Sequence, residues 1–162
     1  MPKKNISLTA FLLLIFLIAC TFLFFYIIRD APSKEIDEKV IHLINETTLS
    51  PTKQQAALLA LEELGDVAVP YIISHLNDTR PLAAREMRTV NNFPGAMEHY
   101  AFHTPALVHD ALSILLIQMT GKAYMFSDES STGWQRKINT MQWIGWCLSH
   151  QSSKASLCTK GL

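Results

Sequence analysis

The chain has 162 residues, 49% of them apolar, and its 14 basic and 14 acidic side chains give a formal net charge of zero. This length accommodates one domain and one additional segment. A protein that binds nucleic acid through a basic face needs a clustered excess of lysine and arginine, so the charge balance excludes that class.

The N-terminal apolar segment, residues 8–28, contains no charged residue, glycine or proline. As an α-helix it would be about 31 Å long, which matches the hydrocarbon core of a bilayer. Because Lys3 and Lys4 precede it, the positive-inside tendency puts residues 1–7 in the cytoplasm and the rest of the chain across the membrane. The sequence therefore predicts a signal-anchor helix, with membrane contact through residues 8–28. The protein would cross the bacterial inner membrane once and hold its C-terminal domain in the periplasm.

Two alternatives remain open for this segment. Residues 17–20, LIAC, resemble a bacterial lipobox, which would make Cys20 a lipid attachment point and the protein a lipoprotein. The other alternative is a cleaved signal peptide, although its apolar region would be only about 7–15 residues long. Both alternatives also place the remaining chain beyond the membrane.

The domain itself is predicted to begin with a helix from Ser33 to about Glu46. Ser33 is a favourable N-cap, and apolar side chains recur at helical spacing after it, at Ile36, Val40, Leu43 and Ile44. Ser50 and Pro51 then supply the N-cap and first-turn proline that start the next helix.

The central pair of helices lies within residues 53–77. The stretch from Gln55 to Leu64 is apolar on two sides, which indicates a helix sandwiched between neighbours. The two stripes are Ala57, Leu58, Leu61 and Leu64, and Ala56, Leu59 and Ala60. Gly65 is expected to end this helix in the left-handed conformation, and Asp66 to cap the next one. That next helix places one buried stripe at helical spacing, namely Val69, Ile72, Ile73 and Leu76.

Three further helices are predicted from the turn at residues 78–81 onward. The first runs from Pro81 to Val90 and is followed by a break at residues 91–95 and an irregular segment to His103. The second runs from Ala106 to Thr120 and buries Val108, Ala111, Leu112, Leu115 and Met119. The third runs from Trp134 to Ser149 and buries Trp134, Ile138, Met141, Gly145 and Leu148.

The alanine-rich helix, the LGD turn and the AVP opening of the next helix resemble one HEAT-like repeat. The stretches DTRPL, NNFPGAMEHY, HDALSILLIQMTGKAYMF and W-x2-W extend the resemblance to small bacterial proteins of the HEAT/PBS-lyase-like superfamily. It covers about Lys34 to Cys147 and implies an all-α fold, a HEAT-like helical-hairpin stack over residues 34–149 behind the transmembrane helix. A polar tail, residues 150–162, would follow. The resemblance implies a binding habit, with no catalytic residues and no cofactor.

Cys147 and Cys158 form an even pair in the compartment predicted for the domain. A disulfide between them would close a loop of about 12 residues and stabilise the fold by about 3 kcal/mol in the loop-entropy model. We expect this disulfide, and the alternative is two free thiols.

Candidate partner-binding residues lie in the second third of the chain. Tyr100 and Phe102 are aromatic side chains in the irregular segment, and loops on a rigid scaffold often carry binding residues. Arginines of the preceding turn and helix are expected to be exposed beside them, namely Arg80, Arg85 and Arg88. The tryptophans are expected to close the end of the stack, with a recognition patch as the alternative.

The ligand-type residues of this region do not form a recognised metal motif. His99 and His103 would share a helix face, and imidazole is a common zinc ligand. However, H-E-x-x-H is missing, and Pro105 interrupts the chain before His109. We therefore expect no metal site, and the three histidines remain an alternative. Motifs of nucleophilic catalysis are missing as well, so we do not expect an enzyme.

The expected function is a membrane-anchored periplasmic protein-binding module of HEAT-like type, whose partner is another protein and whose role is that of an immunity or adaptor protein. One alternative is a metal-dependent periplasmic enzyme that uses the histidine cluster. Another is a structural subunit of an envelope complex.

Overall fold

The computed structural model describes residues 16–18, 21, 34–90, 100–122, 124 and 128–160. The chain divides into two compact units, Met1–Ile36 and Asp37–Leu162. In the first unit, residues 16–18 and 21 are helical, and the side chains of Phe16, Leu17 and Ile18 are exposed. The larger unit contains the core.

Most of the described chain is helical. The helices are α1 (residues 34–46), α2 (Pro51–Glu63), α3 (Val69–Ile73), α4 (Val108–Thr120), α5 (Gly133–His150) and α6 (Ala155–Cys158). Short 3-10 turns, Gly65–Val67 and Ser152–Lys154, precede α3 and α6. Two strands, β1 (Met87–Val90) and β2 (Tyr100–His103), pair antiparallel.

The predicted transmembrane helix falls mostly on residues that lie outside this description. Within the described residues, no helix is both long and apolar enough to cross a bilayer. This finding corrects the predicted transmembrane helix and, with it, the predicted single-pass inner-membrane location and periplasmic C-terminal domain. Cys20, the predicted alternative lipid attachment point, also lies outside the described residues.

The prediction of an all-α fold is wrong, because the segment after α3 is extended. Residues 81–90 do not form the predicted helix, and their second half is strand β1. Thr89 and Val90 are β-branched and favour an extended backbone. Two glutamines of α2 also form hydrogen bonds with backbone N–H and C=O groups of this segment. In a helix, these groups would bond to one another. The fold class is therefore a mostly helical domain with a two-stranded sheet.

Gln54 and Gln55 attach the extended segment to α2. The Gln54 side chain accepts a hydrogen bond from Ala84 N at 2.7 Å and donates to the carbonyls of Ala84 and Glu86 at 3.0 and 3.2 Å. The Gln55 side chain accepts from Arg88 N at 3.2 Å and donates to the carbonyl of Arg88 at 2.9 Å. The two side chains thus bind the backbone of residues 84–88, from the stretch before β1 to the second residue of β1.

α4 is the element around which the larger unit packs. All its residues from Val108 to Leu116 are buried, and α2, α3, α5 and β1 contact it. Asp110 supports its start by accepting hydrogen bonds from Ala106 N and Leu107 N at 3.2 and 3.1 Å. Gly121 ends it in the left-handed conformation, with φ +66°.

α2 and α3 follow the prediction in part. Ser50 caps α2 by accepting from Lys53 N, and Gly65 ends α2 in the left-handed conformation with φ +65°. The predicted stripe of α3 is buried, but Ala68 occupies its N-cap instead of Asp66. The sandwiched position predicted for α2 is wrong, since only one stripe is buried and Leu59 on the other stripe is exposed.

α5 forms where it was predicted, but a different face is buried. The buried residues are Asn139, Thr140, Trp143, Ile144 and Cys147. The face that was predicted to be buried lies on the opposite side of the helix, where Trp134, Met141 and Leu148 are exposed. The helix carries apolar residues on both sides, so its periodicity did not determine which side faces the core.

The C-terminal tail is folded back onto the domain. The predicted disulfide joins Cys147 of α5 to Cys158 of α6, and both residues are buried. α6 packs against α3, and Lys160 Nζ lies 3.3 Å from a carboxylate oxygen of Asp37 on α1. The disulfide therefore holds a segment whose sequence is polar and serine-rich.

Candidate functional site

The β1–β2 hairpin has one buried face and one exposed face. The register pairs Arg88 with Phe102 and Val90 with Tyr100, and side chains alternate between the two faces of a strand. These four side chains therefore share a face, which we call the hairpin face, and all four are exposed, with Phe102 at 75%. Met87, on the opposite face, is buried.

Arg88 is stacked on the aromatic part of the hairpin face. Its guanidinium carbon lies 4.4 Å from the ring centroid of Tyr100, within the range of a cation–π interaction. Among the described residues, Arg88 forms no ion pair with a carboxylate. The hairpin face thus combines apolar area with a positive charge that no described acid neutralises.

The buried face fixes the hairpin to the domain. Thr89 Oγ1 and His103 Nε2 lie 3.1 Å apart across the two strands, and burial lowers the pKa of His103. Gln55 bonds the backbone of Arg88 in β1, Gln54 bonds the stretch before β1, and α2 and α4 both contact β1. The hairpin is therefore attached to the domain by packing and by hydrogen bonds.

Two of the predicted partner-binding arginines are engaged elsewhere. Arg80 bonds Asp78 through Nε at 3.0 Å and Nη2 at 2.6 Å. Burial alone would raise the pKa of Asp78, but the hydrogen bonds and charge of Arg80 bring that pKa below its ordinary value. Arg85 is exposed and lies 3.4 Å from Glu129. Of the three arginines, Arg88 is the one that contacts an aromatic ring of the hairpin face among the described residues.

A cleft of about 530 Å³ lies where the segment after α3, the start of α4 and the first half of α5 meet. His109 lines it and is almost fully buried. Its Nδ1 donates a hydrogen bond to the carbonyl of Leu76, and its Nε2 has no partner in the described part of the chain. Burial lowers the pKa of His109, so the ring is neutral at pH 7 and Nε2 is an acceptor.

The histidines predicted as alternative metal ligands are not assembled. His99 lies outside the described residues. His103 pairs with Thr89 in the hairpin, whereas His109 bonds Leu76 in the cleft wall. Over residues 34–90, 100–122, 124 and 128–160, no three His, Cys, Asp or Glu side chains are placed to hold a metal ion together.

The tryptophans divide between the core and the surface. Trp143 is fully buried and lies with Nε1 3.4 Å from Ser113 Oγ. Trp146 packs edge-on against Trp143 and stacks on the ring of His150. Trp134 is 66% exposed. Only the first two could serve in closing the end of the helical layers.

The sequence prediction missed the residues that shape the hairpin face. Val90 belongs to this face. Gln54 and Gln55 position the face by bonding the backbone of residues 84–88. A signal for Gln54 was present, because it shares helical spacing with the buried residues Ala57, Leu58 and Leu61. A polar residue in a buried stripe requires hydrogen-bond partners, which lie here in the extended segment.

The fold and the hairpin face define a mostly helical domain that presents a small, exposed aromatic sheet. Comparisons with protein-family models, with curated proteins and with solved structures find no match for this chain. The resemblance of its central helices to a HEAT-like repeat stays a prediction.

Proposed function

We propose that this chain is a protein-binding module whose partner docks on the hairpin face. The observation that carries the proposal is the exposure of Phe102 beside Tyr100, Val90 and Arg88 on one face of the hairpin. Aromatic residues and arginine are enriched at the centres of protein interfaces and supply most of their binding energy. A solvent-exposed phenylalanine on an ordered strand gains most from burial against another protein.

The partner that fits this face carries an acidic side chain next to apolar ones. Arg88 is held over Tyr100 with no described carboxylate beside it, so an incoming carboxylate would meet a preorganised guanidinium. The apolar side chains of the partner would cover Phe102 and Val90. Within this class we assign an adaptor or immunity role, in which the partner is bound on demand. The alternative is a structural subunit, which would be bound to its partner at all times.

The test is affinity capture with the tagged full chain, compared with two variants. Phe102→Ser removes the most exposed side chain of the hairpin face. Leu49→Ser is the matched control, because Leu49 is also exposed, at 62%, but lies between α1 and α2. We expect one protein to be enriched by the parent chain and by Leu49→Ser and to be lost with Phe102→Ser.

The comparison requires that the three proteins have the same circular dichroism spectrum. We expect identical spectra, because neither Phe102 nor Leu49 is in the core. Equal recovery of the partner by Phe102→Ser would show that another surface binds it. Absence of any enriched protein with the parent chain would overturn the proposal.

A further inference from the structure

A second exposed apolar surface runs along α5. It consists of Trp134, Ile138, Met141, Gly145 and Leu148, which are alternately four and three residues apart and which we call the α5 seam. An α-helix has 3.6 residues per turn, so these five positions lie on one side of the helix. Trp134, Met141, Gly145 and Leu148 are exposed and Ile138 is half-buried.

The alternating spacing of the α5 seam is that of the core positions of a coiled coil. Side chains in this pattern pack as knobs into the holes of a second helix. The opposite side of α5 already packs on the domain through Trp143, Ile144 and Cys147. Four of the five residues of the α5 seam are exposed, and the seam therefore offers an apolar surface on which a second helix can pack.

The α5 seam is complementary to itself when it is reversed about Met141. In that arrangement, Trp134 of one copy lies opposite Leu148 of the other, and Met141 lies opposite Met141. Ile138 then falls beside Gly145, where no atom lies within 4 Å of the position that a Cβ would occupy. The largest apolar residues thus face smaller ones, as closely packed helices require.

The charges of α5 favour the same orientation. The helix contains no acidic residue, and Arg136 is neutralised by Asp110 at 2.7 Å. Lys137 forms no ion pair with a described residue. A parallel pair of helices would bring the two copies of Lys137 together. An antiparallel pair reversed about Met141 separates the two copies by about 12 Å along the helix axis, at 1.5 Å per residue.

We propose that two copies of this chain associate through the α5 seam as an antiparallel, two-fold symmetric pair. A two-fold interface uses the same patch on both copies, which the reversed pattern of the seam provides. This self-association is independent of the partner proposed for the hairpin face.

Cysteine cross-linking of the full chain tests the orientation. In a Cys20→Ser background, we expect Ile138→Cys mixed with Gly145→Cys to give disulfide-linked dimers on mild oxidation, and neither variant alone to do so. Met141→Cys alone is also expected to link, because it lies on the two-fold axis. Leu59→Cys is the matched control, since Leu59 is exposed on α2 away from the α5 seam.

Sedimentation velocity of the full chain provides the second measurement. Met141→Glu would place the carboxylates of the two copies against each other on the two-fold axis, and we expect it to weaken association more than about 100-fold. Leu59→Glu should leave association unchanged. Phe102→Ser should not alter association, which separates this inference from the function proposed for the hairpin face. Links that form equally well in Ile138→Cys alone would overturn the antiparallel pair. A parent chain that sediments as a monomer at every concentration would overturn self-association.

Discussion

Arg136 on α5 holds Asp110 on α4 through two hydrogen bonds, Nε to Oδ1 at 2.7 Å and Nη2 to Oδ2 at 2.9 Å. Asp110 is fully buried, and its Oδ2 also accepts from the backbone at the start of α4. The same guanidinium donates to the carbonyls of Ser131 and Asp128 at 2.6 and 2.9 Å. One ion pair therefore fixes the starts of both helices.

Replacement of Arg136 should destabilise the fold strongly. Arg136→Met leaves the buried carboxylate of Asp110 without its counter-charge, and breaking a buried pair in this way costs about 3–5 kcal/mol. Lys137→Met is the matched control, because the neighbouring Lys137 is exposed and should change stability by less than about 0.5 kcal/mol. Urea unfolding followed by circular dichroism measures both. A loss below about 1 kcal/mol for Arg136→Met would show that the pair is dispensable.

Gln54→Ala should lower stability more than Gln55→Ala. Gln54 is buried and serves one amide and two carbonyls of residues 84–86, which would be left without partners at a cost of about 1–3 kcal/mol. Gln55 is half-buried, so water can replace its bonds to Arg88. Urea unfolding of the two variants provides the comparison. Equal losses would mean that burial does not distinguish the two glutamines.

The helices could be predicted from the sequence because their signals are local. Ser50 and Pro51 start α2, and Gly65 and Gly121 end helices in the left-handed conformation. These features depend on neighbours within a few residues. The pairing of Cys147 with Cys158 was predicted on another ground, because these two cysteines remain as an even pair after the apolar segment, and the structure contains this disulfide.

The strand β1 and the exposed side of α5 could not be predicted in this way. Ala83, Ala84 and Met87 fit a helical stripe, and what overrides it is the side chain of Gln54, 30 residues earlier. For α5, both sides are apolar, and the choice depends on which side meets α4. Tertiary contacts decide both cases, and they are not visible in a periodicity. The hairpin face was therefore found only in part, through Tyr100, Phe102 and Arg88.

Removal of the disulfide should loosen the C-terminal segment. Cys147 and Cys158 are separated by 11 positions, and a loop of this size is worth about 3 kcal/mol in the loop-entropy model. The paired variant Cys147→Ser with Cys158→Ser should lose roughly this amount in urea unfolding. The parent chain in reductant should show the same loss, whereas the paired variant should not respond to reductant. Full stability of the paired variant would show that packing of α6 on α3 is sufficient.

Stability should fall as the pH falls from 7.5 to 5.5, because three histidines are easier to protonate in the unfolded chain. Burial lowers the pKa values of His75, His103 and His109 in the folded state, whereas an unfolded histidine titrates near 6.5. Below that value the unfolded chain binds more protons, so the free energy of unfolding decreases with decreasing pH. Well above it the histidines are neutral in both states, and they contribute no pH dependence there.

His109→Asn isolates one of these contributions. The asparagine amide can still donate a hydrogen bond to the carbonyl of Leu76, but it does not titrate. In the parent chain, the charge of Asp110 raises the pKa of His109 and the charge of Arg136 lowers it, so these two neighbours oppose each other. We expect this variant to be less stable at pH 7.5, because it leaves space in the cleft wall, and to lose less stability on acidification than the parent. Leu49→Asn, at an exposed position between α1 and α2, removes no titratable group, so it is the control and should keep the parent slope. Unfolding free energies at pH 5.5, 6.5 and 7.5 provide the measurement. An unchanged slope for His109→Asn would mean that His109 takes up its proton in the folded chain as readily as in the unfolded one.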